Sequence, residues 1–365
     1  MTRKLVLAAV LTLTAAGCGA TGSVDSGLGD KGKPVTLTVG YQPYYSESWS
    51  GLVLREKKFY EKYLPKGSKV NFQVGLQGSV LVSQLLAGKQ DIGYMGDMPA
   101  IVGASKRQTR DLRIVGTLGL ASDQCAVFLV RNDAPDFADQ REAIKWMDGK
   151  TVSTPQGSCT DRIAQATFKQ EGVKPKDYLN QPLDVIASNF ESGKIDAAIV
   201  WEPTASRLVN AGIAKRVGSG SLLDTLDAGF LVMSHDLLED RPDVAEAWLK
   251  AELDAQRYLA DPANADEIAA IAKAQTQGFQ EQDLWDALYK KWAPDKGGSE
   301  DGVRIRLPFL VTDDAQAHIA ESASFLADIK AIAGDLPADV VDDSVAEKVL
   351  GSQDPPGEIK AQEAR

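Results

Sequence analysis

From Val35 onward, short apolar runs alternate with segments whose apolar residues recur at helical spacing, which restricts the architectures open to the chain. Val35 to Tyr41 (VTLTVGY), bounded by Pro34 and Pro43, reads as a strand. Ser50 to Tyr63 carries Leu52, Leu54, Phe59, Tyr60 and Tyr63 on a helical period. Strand signals follow at Val70 to Gly75, Asp91 to Met95, Leu112 to Leu118 and Ala126 to Val130. Helices are predicted at Ser79 to Ala87 and from Met98 or Pro99. A second block repeats the pattern, with strands at Thr151 to Thr154, Ala197 to Trp201, Lys215 to Gly218 and Gly229 to Ser234. Its helices are predicted near residue 160, at Asp184 to Ser192 and at Thr204 to Ala211. Beyond Pro242 the chain reads as mostly helical, and residues 351–365, with Pro355 and Pro356, as a disordered tail. Alternating strand and helix argues for an α/β fold with mainly parallel sheets. Two such blocks in 365 residues argue for two lobes.

The first 33 residues have a different character. Arg3 and Lys4 precede the apolar run Leu5 to Ala16, which is too short to span a bilayer. Ala15-Ala16-Gly17 then leads to Cys18, the order of a secretory signal peptide. A Cys at that place resembles the bacterial lipobox, with Ala15 where Leu is usual. The expectation is a signal peptide over 1–17, a lipidated Cys18 and a flexible tether over 18–33. That puts the protein on the extracytoplasmic face of the membrane by a lipid anchor. The formal charge of -11 argues against a nucleic-acid partner. Cys125 and Cys159 remain, to pair as a disulfide or to stay two buried thiols. The two histidines, His235 and His318, form no metal-ligand spacing, so neither metal nor cofactor is expected, and no enzyme constellation is evident.

In open α/β sheets ligands bind at the carboxyl ends of strands. The turns at such ends hold the candidate ligand contacts: Tyr41, Gln42, Glu47 and Trp49 in one loop, then Gln77, then Asp97 with Met98, then Gln124, then Ser158, Thr160 and Asp161, and finally Trp201 with Glu202. The stretch TPQGSCTD reads as a turn opening a helix, whose unpaired amides and partial positive charge suit an anion. The plain alternative is a helix cap. Asp161 in the first turn would repel an anion by roughly 4 kcal/mol at about 4 Å and an effective dielectric near 20. Either it points away, or the ligand also carries positive charge. Three Tyr, a Trp and Glu47 in the stretch YQPYYSESW favour the second option, since aromatic faces with a carboxylate suit an ammonium or guanidinium.

Four pieces carry a family resemblance: VGYQPYYSESWSGLVLREKKFYEK, LVSQLLAGKQDIGYMGDMPA, DGKTVSTPQGSCTDRIAQATFKQEGV and ESGKIDAAIVWEP. In this order they resemble the substrate-binding proteins of ABC importers in the nitrate, sulfonate and taurine group, over about residues 35 to 330. The resemblance implies a type II periplasmic-binding-protein-like fold of two lobes joined by two crossing segments. Lobe one would take 35–124 plus 228–350 and lobe two 125–227. It implies a ligand enclosed between the lobes and delivery to a permease with its ATPase by a monomeric protein. The expected ligand is a taurine-like or other sulfonate. A small cation, amine or guanidinium-like, is the alternative. More remote is an enzyme like the pyrimidine synthase of thiamine biosynthesis.

Overall fold

The computed structural model describes residues 28–363. The signal peptide, Cys18 and the first part of the tether lie outside the described residues. Twelve strands occur among them: β1 (Thr36–Tyr41), β2 (Lys69–Val74), β3 (Ile92–Gly96), β4 (Leu112–Ala121), β5 (Val127–Arg131), β6 (Thr151–Thr154), β7 (Asp177–Asn180), β8 (Ala197–Val200), β9 (Ala214–Ser219), β10 (Asp227–Ser234), β11 (Val303–Leu307) and β12 (Gly357–Lys360). They form two sheets, ordered β12-β11-β4-β10-β3-β1-β2 and β7-β6-β8-β5-β9. The architecture is a two-lobed α/β fold.

The sheets are mixed rather than mainly parallel. β2, β1 and β3 run parallel, as do β7, β6 and β8. One antiparallel pair in each sheet arises where the chain crosses between sheets. It leaves at the end of β4 and returns at the start of β10, so these two lie antiparallel with Asp227 opposite Ala121. β5 and β9 mirror them in the second sheet, with Val127 opposite Ser219. Residues 122–126 and 220–226 are therefore two adjacent crossing segments.

β3 and β4 lie inside the first sheet and are buried along their whole length, which their apolar runs anticipate. The helix Pro242–Ala260 packs on this sheet through Trp248, Leu249, Leu253 and Leu259. Trp248 Nε1 donates to Tyr94 Oη at 2.9 Å, and Tyr60 stacks on the Trp248 ring at 5.8 Å.

Four expectations are corrected here. The single helix predicted over 50–63 is Ser50–Lys57, broken at left-handed Lys58 (φ 54), and then a short 3-10 turn; the break is what brings Tyr60 onto Trp248. The region after Pro242 also holds β11 and β12. The tail expected to be disordered from 351 pairs instead, β12 lying antiparallel to β11 with Ile359 opposite Ile305. Its Ile359 is buried, which a charged, proline-containing segment conceals. The end of the expected tether is docked as well. Buried Arg241 donates to the carbonyls of Leu28 and Lys33 at 2.6 and 2.8 Å, and Gly32 N donates to Asp243.

Candidate functional site

A cavity of about 290 Å³ lies between the two sheets. Its walls come from the carboxyl ends of strands: Gln42 after β1, Gln77 to Ser79 after β2, Gly96 to Pro99 after β3, Pro155 to Cys159 after β6 and Trp201 after β8. Three helices begin there: Gly78–Leu86, Asp97–Ser105 and Cys159–Glu171. Their N-cap residues Gln77, Gly96 and Ser158 are extended, and none caps its helix through a side chain. First-turn amides have no partner inside a helix, and each helix start carries about half a positive charge. Convergence on one cavity adds these fields.

Two glycines permit this approach. A Cβ on Gly78 would come within 2.3 Å of Pro99 Cγ, so only glycine lets the first two helix starts meet. Gly157 has φ +74, the left-handed turn that aims the third helix at the cavity.

Gln42 is 4% exposed, lines the cavity and has no partner for its Oε1. A buried amide of this kind costs about 1–3 kcal/mol unless something bonds to it. Tyr45 presents its ring, while its hydroxyl donates behind the wall, where Glu47 Oε1 lies at 3.0 Å and Ala228 O at 3.1 Å. Trp201 packs edge-on against Tyr45 and donates to Tyr44 O at 2.9 Å, joining the lobes. Asp97 accepts from Met98 N and Ser322 Oγ and pairs with His318 Nε2 at 2.7 Å. Burial opposes its ionisation, but the bond and charge of His318, with the Arg162 charge, outweigh that and hold the carboxyl below its usual range. Cys125 and Cys159 form a disulfide that ties the first crossing segment to the third helix start.

Of the residues expected to contact ligand, Gln42, Gln77, Asp97, Met98, Ser158 and Trp201 line the cavity. The others are placed elsewhere, each for a physical reason. Tyr41 is in the core, edge-on to Phe72 and bonded by Arg55. Trp49 is fully buried, donating to Pro43 O. Glu47 lies behind Tyr45. Gln124 accepts from Ser46 Oγ at 2.8 Å within the crossing region. Thr160 is buried against Thr154. Glu202 pairs with Arg216 at 3.0 Å and accepts from Ser206 N. Burial raises the Glu202 carboxyl despite Arg216, and burial pushes Arg216 down to about 10. Asp161 turns away from the cavity and accepts from Gly157 N, Tyr178 Oη and Gln165 Nε2 at 2.8, 2.7 and 2.9 Å. Sequence reasoning passed over the cavity-facing role of Tyr45, which sits in the aromatic stretch, and of Ser79, Val82, Leu86 and Val102. The last three lie on the helix faces that follow the recognised turns, at i+4 spacing from Gly78 and Met98.

A taurine-binding periplasmic protein of Escherichia coli is 28% identical over 236 residues, 62% of this chain and 68% of its own length. The alkanesulfonate-binding protein SsuA of Xanthomonas axonopodis superposes with a TM-score of 0.66 at 18% identity, over 85% of this chain and 99% of its own. The periplasmic nitrate-binding protein NrtA of Synechocystis does so with a TM-score of 0.67 at 15% identity, over 88% and 89%. These two likenesses agree with the two-lobed fold described above. The model of the NMT1-like family matches residues 30–273, well over half of the sequence, and the chain belongs to that family.

Proposed function

We propose that this protein is an extracytoplasmic solute-binding component of an ABC importer, and that it encloses a small organic anion between its lobes. The observation carrying this reading is the convergence on one cavity of three helix starts, none capped by its N-cap side chain, and of the unpartnered Gln42 amide. Amides, an amide side chain and partial charges stabilise a sulfonate, carboxylate or nitrate without a buried cation. The taurine-binding relative, and the sulfonate- and nitrate-binding proteins of like fold, support the same ligand class.

The wall also favours an organic body on the anion. Val82, Leu86 and Val102 extend the cavity along the first two helices. Of the acids in the candidate turns, Glu47 and Asp161 do not line it, and Asp97, which does, is engaged by Met98 N, His318 and Ser322, which weighs against a cation or a zwitterion. On this reading the segments 122–126 and 220–226 act as the hinge, a lipid on Cys18 holds the protein at the membrane, and the closed form is delivered to a permease with its ATPase.

Calorimetric titration with 1-butanesulfonate, taurine, nitrate and guanidinium tests the ligand class. The expected order is butanesulfonate above taurine and nitrate, with no guanidinium binding. Guanidinium binding alone would replace the anion reading by a cation site. For the anchor, Cys18→Ser is expected to release the protein from membranes into the soluble fraction; unchanged membrane retention would remove it.

A further inference from the structure

Behind Tyr45, on the hinge side of the cavity, lie two fully buried carboxyls that nothing above employs. Glu47, in the turn after β1, and Asp227, the first residue of β10, are 2% and 0% exposed. Glu47 packs against Gly229 of β10, and the Tyr45 hydroxyl reaches both Glu47 Oε1 and the carbonyl of Ala228, the residue after Asp227, so the two carboxyls share one buried spot, where a proton between them would relieve their repulsion. Glu47 Oε1 receives the Tyr45 hydroxyl and Asp227 Oδ2 receives Cys125 N at 3.0 Å. Glu47 Oε2 and Asp227 Oδ1 have no hydrogen-bond partner among the described residues.

Among the described residues no cation is hydrogen-bonded to either carboxyl, although buried Arg162 donates to the carbonyl of Leu226, the neighbour of Asp227 in sequence. The turn packs on β3, β4, β10 and the helix Ser50–Lys57. β3 offers only Tyr94, bonded to Glu252, and β10 only Asp227 itself. β4 carries Arg113 near its opposite end, held by Asp111 and Asp339. Arg55, Glu56 and Lys57 lie at the far end of the helix, with Arg55 on Tyr41 and Lys57 on Glu267. Asp97 adds negative charge and is engaged by His318. Across the lobes, Arg162 is held by Glu321, Asp161 by Tyr178, and the hinge cluster Asp123, Arg304, Arg216 and Glu202 balances its own charges. Burial, then mutual repulsion, raises the Asp227 carboxyl well above its usual range, and burial likewise raises Glu47.

We propose that the protein captures its ligand together with a proton, held between Glu47 and Asp227 behind Tyr45. The inference rests on the reading of the cavity as an anion site. Lobe two seals the pair: Cys125, Cys159 and Trp201 pack with Tyr45 in one apolar cluster that excludes water. Opening the lobes withdraws that cover and hydrates the carboxyls, which favours loss of the proton. Closing takes it up. An anion in the cavity adds to the effect, because a doubly ionised pair behind the Tyr45 ring repels it. The proton therefore neutralises one unit of charge in the wall at the moment the anion arrives.

The test is calorimetry with 1-butanesulfonate in buffers of different ionisation enthalpy, across about pH 6 to 9. The wild-type protein is expected to take up as much as one proton per ligand. Its Kd should rise as pH rises, approaching about tenfold per pH unit where the open form has lost the proton and the closed form keeps it. Glu47→Gln and Asp227→Asn are expected to remove the buffer dependence and flatten the pH profile while butanesulfonate still binds. Binding with a flat profile and no buffer dependence in the wild-type protein, a measurement that needs no variant, would overturn the shared proton and leave the anion reading intact. If butanesulfonate, taurine and nitrate all fail to bind, the anion reading falls and this inference falls with it.

Discussion

Glu252, deep in the lobe-one core, is expected to make stability depend on pH. It is fully buried and accepts from Tyr94 Oη and Gln256 Nε2, both at 2.9 Å. Burial raises its carboxyl from 4.5 to about 7, against the hydrogen bonds that favour the charged form. A raised acid contributes stability that is fully present below its unfolded pKa, near 4.5, and is lost as pH climbs through its folded value near 7. The loss is about 3 kcal/mol across that window. Glu252→Gln, which mimics the protonated form, is expected to be less sensitive to pH and at least as stable as the parent at about pH 8. Urea unfolding of both proteins at several pH values measures the difference, and identical slopes would contradict the assignment. Asp161 gives the complementary case. Because it faces Gly157, Gln165 and Tyr178 rather than the cavity, Asp161→Asn should change anion affinity less than about threefold while lowering stability by about 1–3 kcal/mol. A large affinity gain would mean that its charge reaches the ligand. The sequence displayed this acid beside a helix start and left both orientations open. What decided between them was Tyr178, distant in sequence and adjacent only once β6 and β7 pair.

At the scale of elements, strand-end turns were the legible part. The loops after β1, β2, β3, β6 and β8 all reach the cavity, because strand and helix periodicity mark each turn and parallel pairing brings the turns to one edge. β11 and β12 were not legible. VRIRL alternates clearly, but it stands in a helical region, and β12 is a short charged segment whose only reason to be a strand is β11. The disulfide was equally hidden, since 34 residues separate its cysteines and the fold alone brings their Cα atoms to 6.2 Å. Closing a loop of that length is worth about 3–4 kcal/mol. The double variant Cys125→Ser, Cys159→Ser should lose about that much in chemical unfolding. Because the bond also fixes the third helix start against the first crossing segment, anion affinity should fall as well, beyond what partial unfolding explains. A stability loss with unchanged affinity would confine the disulfide to a structural role.

For the whole molecule, the question is what holds two lobes together around one cavity. The contacts are of two kinds. Beside the crossing segments, the buried cluster of Asp123, Arg304, Arg216 and Glu202 links β11, the first crossing segment and the second sheet, with every side chain at most 2% exposed. Removing one partner leaves a buried charge unpaired, so this cluster belongs to folding rather than to motion. The other kind is Arg162 with Glu321, joining the helix Cys159–Glu171 to the helix Asp313–Asp328 of the opposite lobe at 2.8 Å. Its two ends differ. Arg162 is 3% exposed and also donates to Leu226 O and Thr225 Oγ1 in the second crossing segment, whereas Glu321 is 60% exposed. A half-exposed pair is worth only about 0.2–1 kcal/mol. Glu321→Gln should therefore weaken butanesulfonate binding by roughly two- to fivefold and shift small-angle scattering of the ligand-free protein toward a more open form, with Tm nearly unchanged. Arg162→Met should cost far more in both affinity and stability, because it strips the crossing segment of its donor as well as the lobe contact. Equal effects from the two substitutions would place the function of the pair in folding. Unequal effects would identify Glu321 as the part of the contact free to break when the lobes part, with Arg162 remaining anchored to the hinge that moves it.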